Sequence, residues 1–116
     1  MDYETARRFL VNQGLSTDEN PDAFLTRLKQ KKPPVPGQVT SILLALKVVY
    51  EGMRNASSME RELACALHLL ASEGRYQFEL GRKTGVAWPP LLDEDLTRIA
   101  IAVKSIFLGV WQVQKI

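Results

Sequence analysis

Apolar residues line one face of a helix in three long stretches of this chain. Val39, Ile42, Leu43, Leu46, Val49, Tyr50 and Met53 fall at offsets 0, 3, 4, 7, 10, 11 and 14, a spacing that stacks side chains along one side of a 3.6-residue turn. The pattern predicts a central helix from Gln38 to Arg54. Its polar side is thin, with Gln38, Thr40, Ser41, Lys47 and Glu51 as the main solvent-facing positions, so this helix belongs in the middle of a core. Leu92, Leu96, Ile99, Ala100, Val103, Ile106, Phe107 and Val110 repeat the stripe at offsets 0, 4, 7, 8, 11, 14, 15 and 18. They predict a last helix that starts between Pro90 and Glu94.

The remaining stripe, Met59, Leu63, Ala66, Leu67 and Leu70, drifts on through Gly74 and Phe78 towards Gly81. Ser57 and Glu60 have capping-box spacing, which predicts a start near Ser58, and Gly85 is placed to end the helix. A helix of roughly 26 residues would be about 39 Å long at 1.5 Å per residue. That exceeds what the central helix covers, so a kink near Gly74 or an overhang buried by another chain is expected.

Shorter elements precede these. A helix over residues 3–13 is predicted from Asp2 as cap, Tyr3, Ala6, Phe9 and Leu10 as inward face, and Gly14 as a left-handed terminator. After a polar loop from Ser16, the run Asn20-Pro21-Asp22 signals a second short helix over 21–30, with Phe24, Leu25 and Leu28 to dock it. Lys31 to Gly37 holds three prolines and is a stiff connector, and Trp88-Pro89-Pro90 is a second proline-fixed corner. The end from Trp111 to Ile116 is compatible with a fraying helix or an extended strand. No strand-like alternation, hairpin turn or internal repeat occurs. The expected fold is all-α, an antiparallel bundle of three long helices plus one or two shorter N-terminal ones, in a single domain over residues 1–116.

Composition narrows the function classes. With 116 residues, 46% hydrophobic content and 24% charge, the chain is an ordinary globular domain with enough core to fold without staples. The only cysteine, Cys65, forms no internal disulfide and suits a reducing compartment. The start is charged from Asp2 onward and lacks the pattern of a secretory signal, and the longest apolar run, Ile42 to Leu46, is five residues. A cytoplasmic location without a membrane span is expected. Asn55-Ala56-Ser57 matches a glycosylation sequon, which has no meaning there. Fifteen basic and thirteen acidic residues give a net charge of +2, too small to imply nucleic acid. Between Asp22 and Glu51 every charged residue is basic: Arg27, Lys29, Lys31, Lys32 and Lys47. Such a run is also what a solvated loop looks like.

Candidate chemistry is sparse. Cys65 and the single histidine, His68, are three residues apart on one helix, but a structural zinc site needs four ligands. The simpler expectation is a small buried thiol beside a partly exposed imidazole. Asp93, Glu94 and Asp95 suit the first turn of a helix, where the dipole favours negative charge. Gly81-Arg82-Lys83-Thr84-Gly85 lacks the spacing of a phosphate loop and closes a helix rather than opening one. No catalytic residue, cofactor or metal ligand is nominated. Arg75, Tyr76, Phe78, Arg82 and Lys83, followed by Trp88, interleave cations with aromatics; such a mixture can form a core face, a protein interface or a single-strand platform. The expected partner-binding residues are Arg75, Tyr76, Phe78, Arg82, Trp88 and Trp111. The two proline corners add preformed surfaces for recognition.

The run from Pro33 to Lys47, with Asn20 to Leu25 before it and Gly85 to Asp93 after it, resembles a family of short, uncharacterised cyanobacterial proteins. Some members of that family carry a dethiobiotin synthetase label, although that enzyme is an α/β protein about twice as long with a true phosphate loop. The resemblance implies a cyanobacterial cytosol and carries over no catalytic or binding residue. The sequence thus points to a small non-enzymatic helical protein that binds another protein, or a second copy of itself, as an adaptor or assembly module. The alternative is a nucleic-acid or nucleotide-responsive module using the basic connector 27–38 and the region 75–88.

Overall fold

The computed structural model describes residues 1–15 and 20–112. They form five helices and no strand: α1 (Tyr3–Gly14), α2 (Phe24–Lys29), α3 (Gln38–Met53), α4 (Arg61–Lys83) and α5 (Leu92–Leu108). The choice left open for the C-terminal tail falls mostly on 113–116, outside the described residues.

Several helix boundaries have a local cause. Asp2 caps α1, its carboxylate accepting from the Thr5 amide at 2.8 Å. Gly14 is not the expected left-handed terminator; it is the last helical residue, and a Cβ there would lie 2.7 Å from the Ala66 carbonyl oxygen of α4. Its missing side chain lets two backbones meet. Helix α2 starts later than predicted, because Asn20, Pro21 and Asp22 form a turn in which the Ala23 amide donates to the Asn20 carbonyl. At its other end Lys31 adopts φ 61°, and the Lys32 and Lys31 amides donate back to Arg27 and Leu28. That hydrogen-bond pair ordinarily places glycine in the left-handed position.

The expected Ser57 capping box is absent. Helix α4 begins after Glu60, with no side-chain cap, and the Glu60 carboxylate instead accepts from Arg7 of α1 at 2.8 Å. At the far end Gly85, φ 93°, and Val86 donate to the Arg82 and Gly81 carbonyls, closing the helix as the glycine predicted. Between these ends α4 is one uninterrupted helix of 23 residues. Gly74 is not a kink. It is a buried seat for Leu96, Leu25 and Phe24, the nearest of them 3.3 Å from where a Cβ would stand.

Helix α4 packs against α1, α2 and α5, whereas α3 packs against α1 and α5. Consecutive helices α3 and α4 therefore lie across the bundle from one another. Tyr3 at the start of α1 reaches Met53 at the end of α3, and Gln13 at the end of α1 meets Gln38 at the start of α3. The shortest dimension, 22 Å, corresponds to two layers of helices. The length of α4 that looked uncovered is met by three helices of its own chain.

The core holds Leu10, Phe24, Leu25, Leu28, Ile42, Leu46, Leu63, Leu67, Leu70 and Ile99 among its fully enclosed side chains. The stripe of α3 is buried or half-buried as expected, whereas the end of the α5 stripe is rotated. On α5, Phe107 and Val110 are exposed while Ala102 and Ser105 are buried, because the chain turns back after Gly109 and Gln112 donates its amide to the Ser105 hydroxyl. On α3 the one departure is Gln38, expected at the surface and buried; Leu44, outside the stripe, is exposed.

Candidate functional site

The six residues expected to bind a partner separate into three kinds. Phe78 is core, 5% exposed. Arg75 is a tie between helices: its guanidinium donates to the Asp93 carboxylate at 2.6 Å, the Asp93 carbonyl at 3.0 Å and the Thr97 hydroxyl at 3.0 Å. Arg82 pairs with Glu79 and lies 5.7 Å from the Phe78 ring centroid. Trp88 is half-buried, its indole stacked on Phe78 at 6.1 Å with its Nε1 donating to the Phe78 carbonyl at 2.9 Å. Only Tyr76 projects freely, 59% exposed.

Trp111 belongs to a different assembly. Its ring meets Tyr50 edge-on at 5.1 Å, its amide donates to the Tyr50 hydroxyl at 3.0 Å, and the Lys47 ammonium lies 4.1 Å from its ring centroid. A cation over an indole is attracted by the ring quadrupole. Trp88 and Trp111 thus fasten loops onto helices, and Arg75 fastens α4 to α5.

Cys65 is exposed, not buried as expected. Leu63, Ala66, Leu67 and Leu70 take the inner face of α4, leaving Cys65 on the outer one. His68 is also exposed, near the Ser72 hydroxyl at 3.4 Å. Among the described residues no group of three or more histidine, cysteine or acidic side chains is placed to hold a metal ion.

Sequence reasoning missed the two clefts beside the proline connector. Gln13 and Gln38 are buried and joined: Gln38 Nε2 donates to Gln13 Oε1 at 2.8 Å and to the Asp22 carbonyl at 2.7 Å, while Gln38 Oε1 accepts from the Val35 amide at 2.9 Å. Gln13 Oε1 also accepts from the Phe24 amide at 2.8 Å. Two side chains therefore satisfy the backbone of α2's first turn and of the connector together, as buried polar groups require. Arg27 adds a clasp, its Nε donating to the Pro33 carbonyl at 2.7 Å and its Nη1 to Asp22 at 3.1 Å. On one side of this network lies a shallow cleft of about 340 Å³ with mixed polar and apolar walls, bordered by Phe9, Asn20, Asp22, Pro36 and Ser41. On the other is a cleft of about 230 Å³ between the two proline corners, bordered by Pro34, Val35, Val39, Pro89, Leu91 and Asp95. The only hint in the sequence was a pair of glutamines at otherwise apolar helix ends.

Groups with shifted acidity gather elsewhere, in the first turns of α1. The Thr5 amide hydrogen bond holds the Asp2 carboxyl below its ordinary value, and the Arg7 hydrogen bond does the same for Glu4. The same Glu4 contact raises Arg7, and burial pushes up the Tyr3 hydroxyl. These are structural ties, since Arg7 bridges Glu4 at 2.6 Å and Glu60 at 2.8 Å.

Compared with models of known protein families, with curated proteins and with solved structures, the chain matches none. Among the described residues no helix is long and apolar enough to cross a membrane.

Proposed function

We propose that this protein is a non-enzymatic, antiparallel helical module of a cyanobacterial cytosol that acts by binding another protein or a second copy of itself. The observation that carries the proposal is the end of α5, where Phe107, Leu108 and Val110 are 54%, 57% and 61% exposed within four consecutive positions. Isolated exposed apolar side chains are ordinary, but a group of them at one site marks an interaction surface. Leu44 and Leu91 add further exposed apolar surface. Of the aromatics and arginines that could have served an active site or a stacking platform, Arg75, Phe78, Trp88 and Trp111 are engaged within the fold, while Tyr76 is exposed and Arg82 pairs only with Glu79 on its own helix.

Light scattering across a dilution series, with wild type and a Phe107→Asp/Leu108→Asp variant, tests the self-associating form. Concentration-dependent mass that the variant loses is the expected result. Affinity capture from the native host with the same pair tests the adaptor form. A wild type that stays monomeric and recovers the same proteins as the variant overturns the proposal.

The nucleic-acid alternative retains one supporting observation, the exposed Lys29, Lys31 and Lys32 of the connector. Single-stranded oligonucleotide binding at low salt is its test, because counterion release makes such affinity strongest there.

A further inference from the structure

Gln13 is 7% exposed, and its carboxamide is fixed in one orientation, because only its oxygen can accept from the Phe24 amide and from Gln38 Nε2, each at 2.8 Å. Its Nε2 carries two hydrogens and finds no acceptor among the described residues. No enclosed side-chain nitrogen or oxygen among them lacks a partner, so this Nε2 opens into the cleft of about 340 Å³ that Gln13 borders. We propose that this cleft binds a small uncharged ligand with a planar cyclic-amide edge, a carbonyl beside an N–H as in a uracil-type base, whose carbonyl oxygen accepts from Gln13 Nε2. The site goes beyond the protein-binding reading above and does not depend on it.

The lining sets the polarity of the ligand. Asp22 is the one charged residue in it, and Arg27, which holds one of its carboxylate oxygens at 3.1 Å, stands outside the lining. A negative charge in the wall disfavours an anion. A cation is disfavoured by the start of α3, which Gly37 brings into the same wall. No side chain caps that helix, its first turn holds no acidic residue, and the Gly37 amide has no acceptor among the described residues, so the positive end of the helix dipole is unanswered. A Cβ on Gly37 would meet nothing within 4 Å, which leaves this stretch of backbone open to approach.

An uncharged ligand must then both accept and donate. Gln13 Nε2 and the Gly37 amide offer hydrogens to a carbonyl oxygen. The second carboxylate oxygen of Asp22 and the carboxamide of Asn20, neither of them engaged among the described residues, can take an N–H, and the half-buried Ser41 hydroxyl can serve in either sense. Phe9, half-buried, and Pro36 add flat apolar surface to the same cleft, which suits the face of a planar ring. Carbonyl and N–H lie side by side in one plane in a cyclic amide. A shallow cleft with few polar anchors implies a weak site, of about millimolar affinity for so small a molecule.

The test is a titration of the full, nitrogen-15-labelled chain with 1-methyluracil, followed by proton–nitrogen correlation spectra that resolve the Gln13 side-chain NH₂ and the Gly37 amide. Both signals are expected to move together and saturate. 1,3-Dimethyluracil, which keeps the ring and carbonyls but has no N–H, should bind more weakly. Gln13→Glu keeps an oxygen for the Phe24 amide and replaces the Nε2 donor, so the Gly37 signal should report a loss of about tenfold in affinity, the scale of one hydrogen bond. Phe9→Leu keeps the wall apolar but removes the flat ring, and should also weaken binding, whereas Arg54→Ala, at the far end of α3, should not. Circular dichroism checks the fold of each variant. An oligouridylate that moves the same signals at lower concentration supports the site and names a strand as the source of the base; one that does no better than 1-methyluracil supports it with the free base as source. No movement of the two signals at about ten millimolar 1-methyluracil overturns the proposal. Equal movement with acetate or inorganic phosphate also overturns it and leaves only an anion at the helix start, and equal movement with glucose overturns the cyclic-amide assignment.

Discussion

Replacing Gly81 with alanine should destabilise this protein, although alanine is by far the better helix former. In an unencumbered helix interior the change would be favourable by about 0.5–1 kcal/mol. Here a Cβ would stand 2.5 Å from Cζ2 of Trp88 and 2.9 Å from its Cε2 and Nε1. The indole has little room to retreat, being stacked on Phe78 and bound through Nε1 to the Phe78 carbonyl. Overpacking against such a side chain costs about 1–3 kcal/mol, and a broken hydrogen bond about 1 kcal/mol more where it is lost. Against the propensity gain, the net expectation is a loss of about 1–2 kcal/mol, or roughly 4–10 °C in Tm for a domain of this size. Thermal and urea unfolding of Gly81→Ala, alone and with Trp88→Ala, give a decisive comparison. Once the indole is gone the alanine should become stabilising by about 0.5–1 kcal/mol, reversing its sign. A Gly81→Ala single variant with a raised Tm, or one whose effect is the same with and without Trp88, refutes the reasoning. Gly74→Ala serves as contrast. Its nearest neighbour is the flexible Leu96 side chain at 3.3 Å, so a near-neutral change is expected.

Other outcomes follow from the same geometry. Gln38→Leu removes the acceptor of the Val35 amide and the donor to Gln13 and the Asp22 carbonyl, so urea unfolding should show a loss of about 2–4 kcal/mol. Lys31→Gly relieves a left-handed lysine at φ 61° and should raise stability by about 0.5–1 kcal/mol after glycine's entropic cost, read from the same transition. Asp2 and Glu4 have carboxyls held below ordinary values of 3.8 and 4.5. Their contribution to stability is therefore present above that range and lost as pH falls through the lowered values. The stability gap between wild type and Asp2→Ala should accordingly close on acidification, as acid unfolding curves would show.

Much of the architecture was legible because periodicity and terminators act locally. Asp2, Gly85 and the α3 stripe each did what their residue type implies, and all five helices were anticipated within a few residues. What escaped depended on residues distant in sequence. Gly74 looked like a break because glycine weakens an isolated helix, yet it makes room for Leu96 and Leu25. Glu60 had the right spacing to cap α4, but Arg7 is a stronger partner than an amide. The candidate site was read less well for the same reason. Aromatic and cationic types cannot show whether they face water or a neighbouring loop, so Arg75, Phe78, Trp88 and Trp111 looked available when most of their valences are taken. The clefts were invisible because they arise where segments distant in sequence converge, the two proline corners for one and α1 with the first proline connector for the other, which no one-dimensional pattern records.

The last turn of α3 is held from two directions at once. Tyr3 donates its hydroxyl to Met53 Sδ at 3.1 Å, and Tyr50 receives the Trp111 amide at 3.0 Å. Helix ends ordinarily fray first, with amides that exchange at little free-energy cost. Here fraying must release the first turn of α1 and the returning tail as well. That couples three segments into one opening unit: amide protons at Tyr50 to Met53 should exchange in step with those after Gly109, and a partner that peels the tail away would loosen the start of the chain with it.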